Sequence, residues 1–288
     1  MVVNRMVMNI NPNAQWLLGK EVAVGKKSRR EPLINVLRNS SLSEGIQLNA
    51  IKYVVASMGA SDSRLAKDLL SLMNRLAKAG AGLEAIEQGC KKIMGPLQGD
   101  RAAALSARSD IILGQIKPHV AGKSVLDLGS GDGQVGFRLS SEGYAVTLCD
   151  VMDFNTAPMP LVKFDGKTLP FESKSFDTTL LLTVLHHAKN PLQVLHEAMR
   201  VTKERIIVIE SICFNSEHRR LNMLLDWFYN RVVHADVPCP FNFQAPWGWE
   251  NTFAKNGLRL APVKNPDLGI DQQVVPEYHW LYALEVPK

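Results

Sequence analysis

A glycine-rich turn that follows an apolar run is the segment of this chain best suited to chemistry. The sequence reads V-L-D-L from Val125 to Leu128, continues as G-S-G-D-G to Gly133, and then takes helical spacing. Glycines allow a tight turn and let a ligand approach the backbone, where the first amides of a helix can bind it. The pattern predicts a strand, a ligand-binding turn and a helix in succession.

The turn fits two kinds of ligand. Residues 131–136 match G-x-G-x-x-G, the pattern that binds the pyrophosphate of a dinucleotide in dehydrogenases. Asp127 and Asp132, however, would place two carboxylates beside that pyrophosphate, at a cost of about 4 kcal/mol per close pair. A cation would be stabilised there instead. S-adenosylmethionine (SAM) carries a sulfonium, an ammonium and no phosphate, so the charges favour SAM, with NAD as the alternative.

The segment resembles the first motif of the class I SAM-dependent methyltransferases, D/E-x-G-x-G-x-G, in the branch that acts on small molecules. Asp127, Gly129, Gly131 and Gly133 occupy its fixed positions. The resemblance implies an α/β fold with a Rossmann-like, doubly wound seven-stranded sheet whose last strand is antiparallel. It also implies SAM as cofactor and S-adenosylhomocysteine as product, bound by these four residues and Ser130.

Two later segments are similar to the same family and extend the predicted cofactor site. Asp150 ends the second apolar run, where a carboxylate can accept two hydrogen bonds from the ribose hydroxyls, a placement that also suits NAD. Residues 165–177 resemble the family segment D-x-x-x-L-P-F…S-F-D, in which the acidic residue accepts from the adenine amino group. The resemblance therefore assigns the adenine to Asp165, with Val151 and Gly166 as neighbouring cofactor contacts.

The histidine pair after the fourth apolar run is the candidate for catalysis. Thr183 is predicted to contact the cofactor, and residues 184–187 read V-L-H-H, as at the fourth-strand end of the small-molecule branch. Methyl transfer from a sulfonium is an in-line displacement, so alignment and desolvation supply much of the catalysis. A histidine can in addition take a proton from a hydroxyl or amine acceptor. His187, and after it His186, are the predicted bases; the alternative is a structural role beside the cofactor.

The segment after the fifth apolar run is the candidate for substrate selection. Residues 211–250 contain eight aromatic residues, which can line a pocket for an apolar or planar molecule or form the packed core of a helical lid. We expect core packing for most of them and pocket lining for two or three. Arg219 and Arg220 would suit a carboxylate or phosphate on the substrate. No metal is predicted, because the histidines show neither H-x-x-x-H nor H-E-x-x-H spacing.

The elements that position these residues fall into two parts. Residues 1–30 are predicted to be a flexible basic arm, and residues 31–117 a helical cap or dimerisation domain, because apolar residues there recur at helical spacing. Over residues 118–288 short apolar runs alternate with helical stretches, as in a doubly wound sheet. This part is the predicted SAM-binding methyltransferase domain, and residues 211–256 are its lid or substrate insertion.

Composition separates the same two parts by charge. Of the net charge of +5 over 288 residues, residues 1–117 carry 17 Lys/Arg against 9 Asp/Glu, and the remainder carries 16 against 19. The basic half can be a docking surface for RNA or protein, or simply a solvated helix face. The motifs of base-modifying methyltransferases, a Pro-Cys after the fourth strand and N-P-P-Y, are missing where they would stand, which argues against nucleic acid.

Location and function follow from what the composition excludes. No apolar run approaches the roughly 18 residues of a membrane span, the first thirty residues hold no signal-peptide core, and four widely spaced cysteines suggest reduced thiols. The expected location is the cytoplasm. The predicted function is methyl transfer to a small or medium-sized metabolite, aromatic or apolar in character, by a monomer or a homodimer. The alternatives are an RNA or protein methyltransferase and a SAM-binding, non-catalytic subunit.

Overall fold

The described residues of the computed structural model contain one mixed sheet. The structure describes residues 32–39, 42–57, 63–95, 101–233, 237–268 and 278–287, with the backbone only for 101–107, so the predicted basic arm lies outside it. Within these ranges the strand order is β3-β2-β1-β4-β5-β7-β6. The strands are β1 Ser124–Leu128, β2 Ala145–Asp150, β3 Leu161–Lys163, β4 Phe176–Leu182, β5 Thr202–Ile212, β6 Arg259–Ala261 and β7 Tyr278–Glu285. Strands β1 to β5 pair in parallel, and β7 runs antiparallel to β5 and β6. The predicted fold class is confirmed.

Helices precede the sheet and connect its strands. They are α1 Leu33–Arg38, α2 Glu44–Ser57, α3 Ser63–Lys78, α4 Leu83–Met94, α5 Arg101–Ile116, α6 Gln134–Ser141, α7 Pro191–Val201, α8 Ser216–Trp227 and α9 Pro246–Lys255. A π-helical segment, Phe228–Val233, continues α8. Helix α7 begins at the sequence Asn190-Pro191, where the Asn190 side chain accepts from the amide of Gln193.

Both faces of the sheet are buried, which explains the continuous apolar runs of its central strands. Val125 of β1 and Leu180 of β4 contribute to a core on one face with α5 and α6. The next residues along these strands, Leu126 and Leu181, contribute to a core on the other face with α7 and α9. Each central strand therefore carries apolar side chains toward both faces and not only at alternate positions.

The strand order reverses direction at β1, which defines the binding edge of the sheet. Strand β1 pairs with β2 on one side and with β4 on the other, all in parallel. The carboxyl ends of these strands consequently lie along one edge, with a crevice where the order reverses. In open α/β sheets ligands bind in such a crevice.

The N-terminal helices and the insertion after β5 form one hydrophobic core. Residues of α1 to α4 pack with those of α8 and the π-helical segment, including the fully buried Trp227 and Phe228. Helix α5, which the sequence analysis placed with the helical cap, instead packs on the sheet through Ile112 and Ile116. Helix α9, from the predicted lid, also packs on the sheet. The unit that covers the binding edge thus joins α1–α4 to α8.

The cysteines and the lengths of the helices bear on the expectations of reduced thiols and of no membrane span. Cys90, Cys149 and Cys213 are buried and Cys239 is half-buried, and all four are free. Burial raises the pKa of the Cys149 thiol to about 12.

In the part of the chain that the structure describes, no helix is both long enough and apolar enough to cross a membrane.

Candidate functional site

The turn after β1 is held tightly against the neighbouring strands. The amides of Gly129 and Ser130 donate to the carbonyl of Cys149, at the end of β2, at 2.7 and 3.2 Å. Gly129 has a φ of +75°, and a Cβ there would lie 2.5 Å from a methyl group of Val184. Only glycine therefore fits at this position. Gly133 also has a positive φ and is the N-cap residue of α6.

The inner side of the turn has the features of a ligand cradle. A Cβ built on Gly131 would meet no atom within 4 Å, so the backbone there borders open space. The Ser130 hydroxyl is buried and has no hydrogen-bond partner among the described residues. A buried hydroxyl without a partner costs free energy that a ligand would recover. The turn therefore fits a ligand that comes close to its backbone.

Asp150 joins the turn to the end of β2. Its Oδ2 accepts from the amide of Gly131 at 2.9 Å, and its Oδ1 accepts from the amide of Met152 at 3.0 Å. These two hydrogen bonds fix the carboxylate beside the turn. Each carboxylate oxygen has a second lone pair, so the pair of oxygens can still accept from two vicinal hydroxyls.

Asp127 introduces a second carboxyl group, buried under the turn. Burial, and then the nearby charges of Asp150 and Asp132, raise its pKa from 3.8 to about 7, against the opposing effect of a hydrogen bond from the amide of Gly136. A cation in the crevice would relieve this cost by pairing with the carboxylate, whereas a pyrophosphate would increase it.

The loops after β2 and β3 bring the remaining predicted cofactor residues together. Asp165 accepts from the amides of Lys167 and Thr168 through Oδ1, at 2.8 and 2.9 Å, and these bonds lower its pKa. A Cβ on Gly166 would lie 3.4 Å from Val151, whose apolar side chain is 45% exposed. The two loops therefore form an apolar wall beside a fixed carboxylate.

Thr183 ends β4 in a strained conformation. Its φ is +60°, its amide donates to the carbonyl of Ile209 at 2.7 Å, and its hydroxyl donates to the carbonyl of Leu182. A non-glycine residue with positive φ costs about 1–3 kcal/mol and is concentrated at functional sites. The next residue, Val184, lies against Gly129 of the turn.

The histidine pair is held by contacts at both ring nitrogens. His186 is buried, and its Nδ1 lies 2.6 Å from Oε2 of Glu210, whose Oε1 accepts from the amide of Leu185. Nδ1 of His187 lies 2.9 Å from the carbonyl oxygen of Pro238. The Nε2 atoms of His186 and His187 both approach Oδ1 of Asp226, at 3.8 and 3.3 Å.

The environment of His187 favours its neutral form. Burial lowers its pKa and the neighbouring His186 lowers it further, while Asp226 opposes both effects. A neutral imidazole is the form that accepts a proton or binds a metal ion. The prediction that His187 acts as a base stays a prediction.

Asp226 is the functional candidate that the sequence analysis missed. It lies on α8, in the insertion after β5, and the structure groups its carboxylate with His186 and His187 as three potential metal ligands. The sequence contains a signal for it, since His218, Asn222 and Asp226 recur every four residues and so share one helix face. In the structure all three are buried. The prediction that the chain has no metal site rested on local histidine spacing, which does not detect such a cluster.

The structure buries several aromatic residues of the insertion, and the lining of a substrate pocket by two or three of them stays a prediction. Trp227, Phe228 and Phe243 are buried in the helical core, and Trp249 is buried against the sheet. The side chain of Trp247 is half exposed. Core packing therefore accounts for the buried members of the set.

Comparison with known protein families identifies a domain within this region. Residues 126–209 match the family model described as a methyltransferase domain. The match begins in β1 and ends in β5, so it spans the glycine turn, the loops after β2 and β3, and the histidine pair.

Two curated relatives match a similar share of the chain. An uncharacterized methyltransferase of Mycobacterium marinum is 31% identical over 121 residues, which cover 39% of this chain and 46% of that protein. A tRNA U34 carboxymethyltransferase of Photobacterium profundum is 26% identical over 132 residues, which cover 38% of this chain and 39% of that protein. The chain thus spans less than half the length of these relatives. Among solved structures, a SAM-dependent methyltransferase of Aquifex aeolicus aligns with a TM-score of 0.43 and 16% identity, over 70% of this chain and 98% of that one.

Proposed function

We propose that this chain, whose residues 126–209 match the model of a methyltransferase domain, transfers the methyl group of SAM to a small or medium-sized metabolite. SAM supplies an activated methyl group on a sulfonium, and its leaving group is neutral. The protein then has to bind and align the two reactants and exclude water. The observation that carries the proposal is the pair of carboxylates, Asp127 and Asp150, around a glycine turn that borders open space.

Each part of the cofactor has a complementary group in this proposal. Asp150 accepts from the ribose hydroxyls, and Asp127 places negative charge near the ammonium and sulfonium. Asp165 accepts from the adenine amino group, whose ring packs on the exposed side chain of Val151. The partnerless hydroxyl of Ser130 hydrogen-bonds to the bound ligand. The same groups disfavour NAD, because its pyrophosphate would meet the carboxylates.

A cavity among the described residues offers space for an apolar acceptor. It has a volume of about 390 Å³ and lies between the N-terminal helices and α8. Phe241 lines it, and the adjacent amide of Asn242 donates to the carbonyl of His186, so cavity and histidine pair are joined by one short segment. Arg38 and Arg219 also line the cavity, where their guanidinium groups donate to the carbonyls of Gly80 and Ala81 and of Phe241.

Calorimetry with three ligands tests the cofactor. We expect the full chain to bind SAM and S-adenosylhomocysteine, and to give no heat with NAD. A screen with radiolabelled SAM and pools of apolar acids, phenols and amines then tests the reaction. Tight binding of NAD without a signal from SAM would refute the proposal, and SAM binding without transfer to any acceptor would favour the non-catalytic subunit.

RNA is the second candidate acceptor. It is favoured by the similarity to the tRNA carboxymethyltransferase over 38% of this chain and by the excess of Lys and Arg in residues 1–117. The same screen therefore includes a tRNA fraction. Binding to phosphates would weaken steeply with added salt, and an affinity that does not respond to salt excludes this acceptor class.

We expect His187→Ala to lower the rate of methyl transfer about 100-fold or more while SAM affinity stays unchanged, since the ring would activate the acceptor. The measurement is the initial rate with saturating SAM, together with the dissociation constant of SAM. His196→Ala is the matched control, because His196 is exposed and its Nε2 is bonded to Asn256 on the surface. An unchanged rate in His187→Ala would remove this residue from the mechanism.

A further inference from the structure

Three metal-ligand side chains converge where β4 ends and α8 crosses above it. His186, His187 and Asp226 each offer one ligand atom, and the three atoms lie within 4.8 Å of one another. The rings come from adjacent residues, and the carboxylate comes from the insertion after β5. Such a cluster has the donor set, two imidazoles and one carboxylate, that binds zinc and other first-row divalent ions.

Hydrogen bonds at the far side of each ring determine which nitrogens face the cluster. Nδ1 of His186 lies 2.6 Å from the carboxylate of Glu210, and Nδ1 of His187 lies 2.9 Å from a carbonyl oxygen. A carboxylate and a carbonyl only accept, so both Nδ1 atoms carry the hydrogen. In neutral rings the Nε2 atoms then direct lone pairs toward Asp226. Metal-binding histidines in proteins are oriented in this way, by a carboxylate or a backbone carbonyl on the other nitrogen.

The buried carboxylate of Asp226 is a second observation that points to a cation at this position. Its side chain is only 7% exposed, and its Oδ2 is buried without a hydrogen-bond partner among the described residues. Its Oδ1 accepts from the side chain of Asn230 at 2.8 Å and faces both Nε2 atoms. Three Lewis bases facing one another repel unless a cation or a proton lies between them.

We propose that His186, His187 and Asp226 form a binding site for a divalent first-row transition metal ion, with Zn²⁺ the best match. A tetrahedral Zn²⁺ with bonds of about 2.0–2.1 Å holds its ligand atoms about 3.4 Å apart. The separations of Asp226 Oδ1 from the two Nε2 atoms are 3.3 and 3.8 Å, and all three ligand atoms lie within 4.8 Å of one another, so an ion would draw the ligands closer together. Three protein ligands leave a fourth position open, as in catalytic rather than structural zinc sites.

A role for the ion in catalysis rests on the proposed function. The ion would bind an acceptor hydroxyl, thiol or carboxylate at its open position and lower the pKa of a bound hydroxyl or thiol, so that His187 would activate the acceptor as a ligand of the ion and not as a base. Glu210 is in this scheme a positioning residue, since it touches His186 and not the ion.

Metal titration of the full chain tests the site without reference to activity. After treatment with a chelator and its removal, Zn²⁺ is titrated by calorimetry and by elemental analysis of the dialysed protein, and Co²⁺ by its visible absorption. We expect one equivalent per chain, and a weakening of about 100-fold or more in Asp226→Asn and in His187→Ala. Glu210→Gln should weaken binding about 10–100-fold, as removal of an orienting partner does. His196→Ala should match the wild type.

The outcomes separate this inference from the proposed function. A wild type that binds no stoichiometric metal, or an Asp226→Asn variant that binds as well as the wild type, overturns the metal site. SAM binding is measured on the same samples. Metal binding without SAM binding refutes only the proposed function, and SAM binding without metal binding refutes only the metal site.

Discussion

Replacement of Asp150 with alanine is expected to weaken SAM binding about 100-fold or more. The wild-type carboxylate accepts from the amides of Gly131 and Met152 and would also accept from the two ribose hydroxyls. Each hydrogen bond to a charged group contributes about 1.5–3 kcal/mol, so loss of the two ribose bonds corresponds to a factor of about 10² to 10⁴. The alanine variant also releases the turn amide that holds the cradle in place. Calorimetry with SAM and S-adenosylhomocysteine measures both affinities.

Asp153→Ala is the matched control for this variant. Asp153 lies three residues further along the same loop and is exposed, so its removal changes the net charge equally without touching the turn. Its SAM affinity should stay within about threefold of the wild type. Thermal unfolding of both variants checks that they fold. Equal SAM affinities in Asp150→Ala and Asp153→Ala would contradict the assignment of the ribose to Asp150.

Most of the cofactor half could be predicted because its signals are local in the sequence. Strands buried on both faces require continuous apolar runs, and these runs coincide with β1, β2, β4 and β5. The glycine turn is contiguous with β1, so its ligand-binding character is visible without tertiary structure. Charge added a further constraint, since Asp127 directly precedes the turn and Asp132 lies within it in any fold that forms it.

The helical unit and the histidine cluster could not be predicted from such local signals. The apolar stripes of α2 to α4 indicated burial but not their partner, which is α8, more than a hundred residues later. In the same way, His187 and Asp226 belong to different elements, and only the packing of α8 over the end of β4 brings them together. Helix α5 falls within the predicted helical cap but packs on the sheet, because periodicity reports which face of a helix is buried and not which element covers it.

At pH 8 the Asp127→Asn variant without ligand is expected to have a larger free energy of unfolding than the wild type. At the same pH it is expected to bind SAM more weakly. Folding raises the pKa of Asp127 from 3.8 to about 7. Below about pH 4 the carboxyl is protonated in both the folded and the unfolded state, so it does not lower the free energy of unfolding. Between about pH 4 and 7 the unfolded chain releases the proton and the folded chain keeps it, so stability falls as the pH rises, by about 4 kcal/mol in total. The neutral amide of asparagine avoids this loss.

Thermal unfolding between pH 4.5 and 8.5 measures the effect as a difference between the two proteins. Three histidines affect the wild type and the variant alike, in the opposite direction. Burial lowers the pKa of His119, His187 and His279, so the free energy of unfolding that they contribute is lost as the pH falls. Subtraction of the Asp127→Asn curve from the wild-type curve removes their effect. Asp153→Asn should show the pH dependence of the wild type. A difference that does not change with pH would show that Asp127 does not titrate in this range.

The same carboxyl couples SAM binding to protons. A cation beside Asp127 favours the ionised form, so SAM binding near pH 7 should release protons, and SAM affinity should rise as the pH passes through about 7. Calorimetry in two buffers of different ionisation enthalpy measures the released protons directly. The Asp127→Asn variant should show no such proton release. It should also bind SAM more weakly at pH 8, because the substitution that stabilises the fold removes the negative charge that would pair with the cofactor. Proton release that persists in Asp127→Asn would assign the coupling to another group.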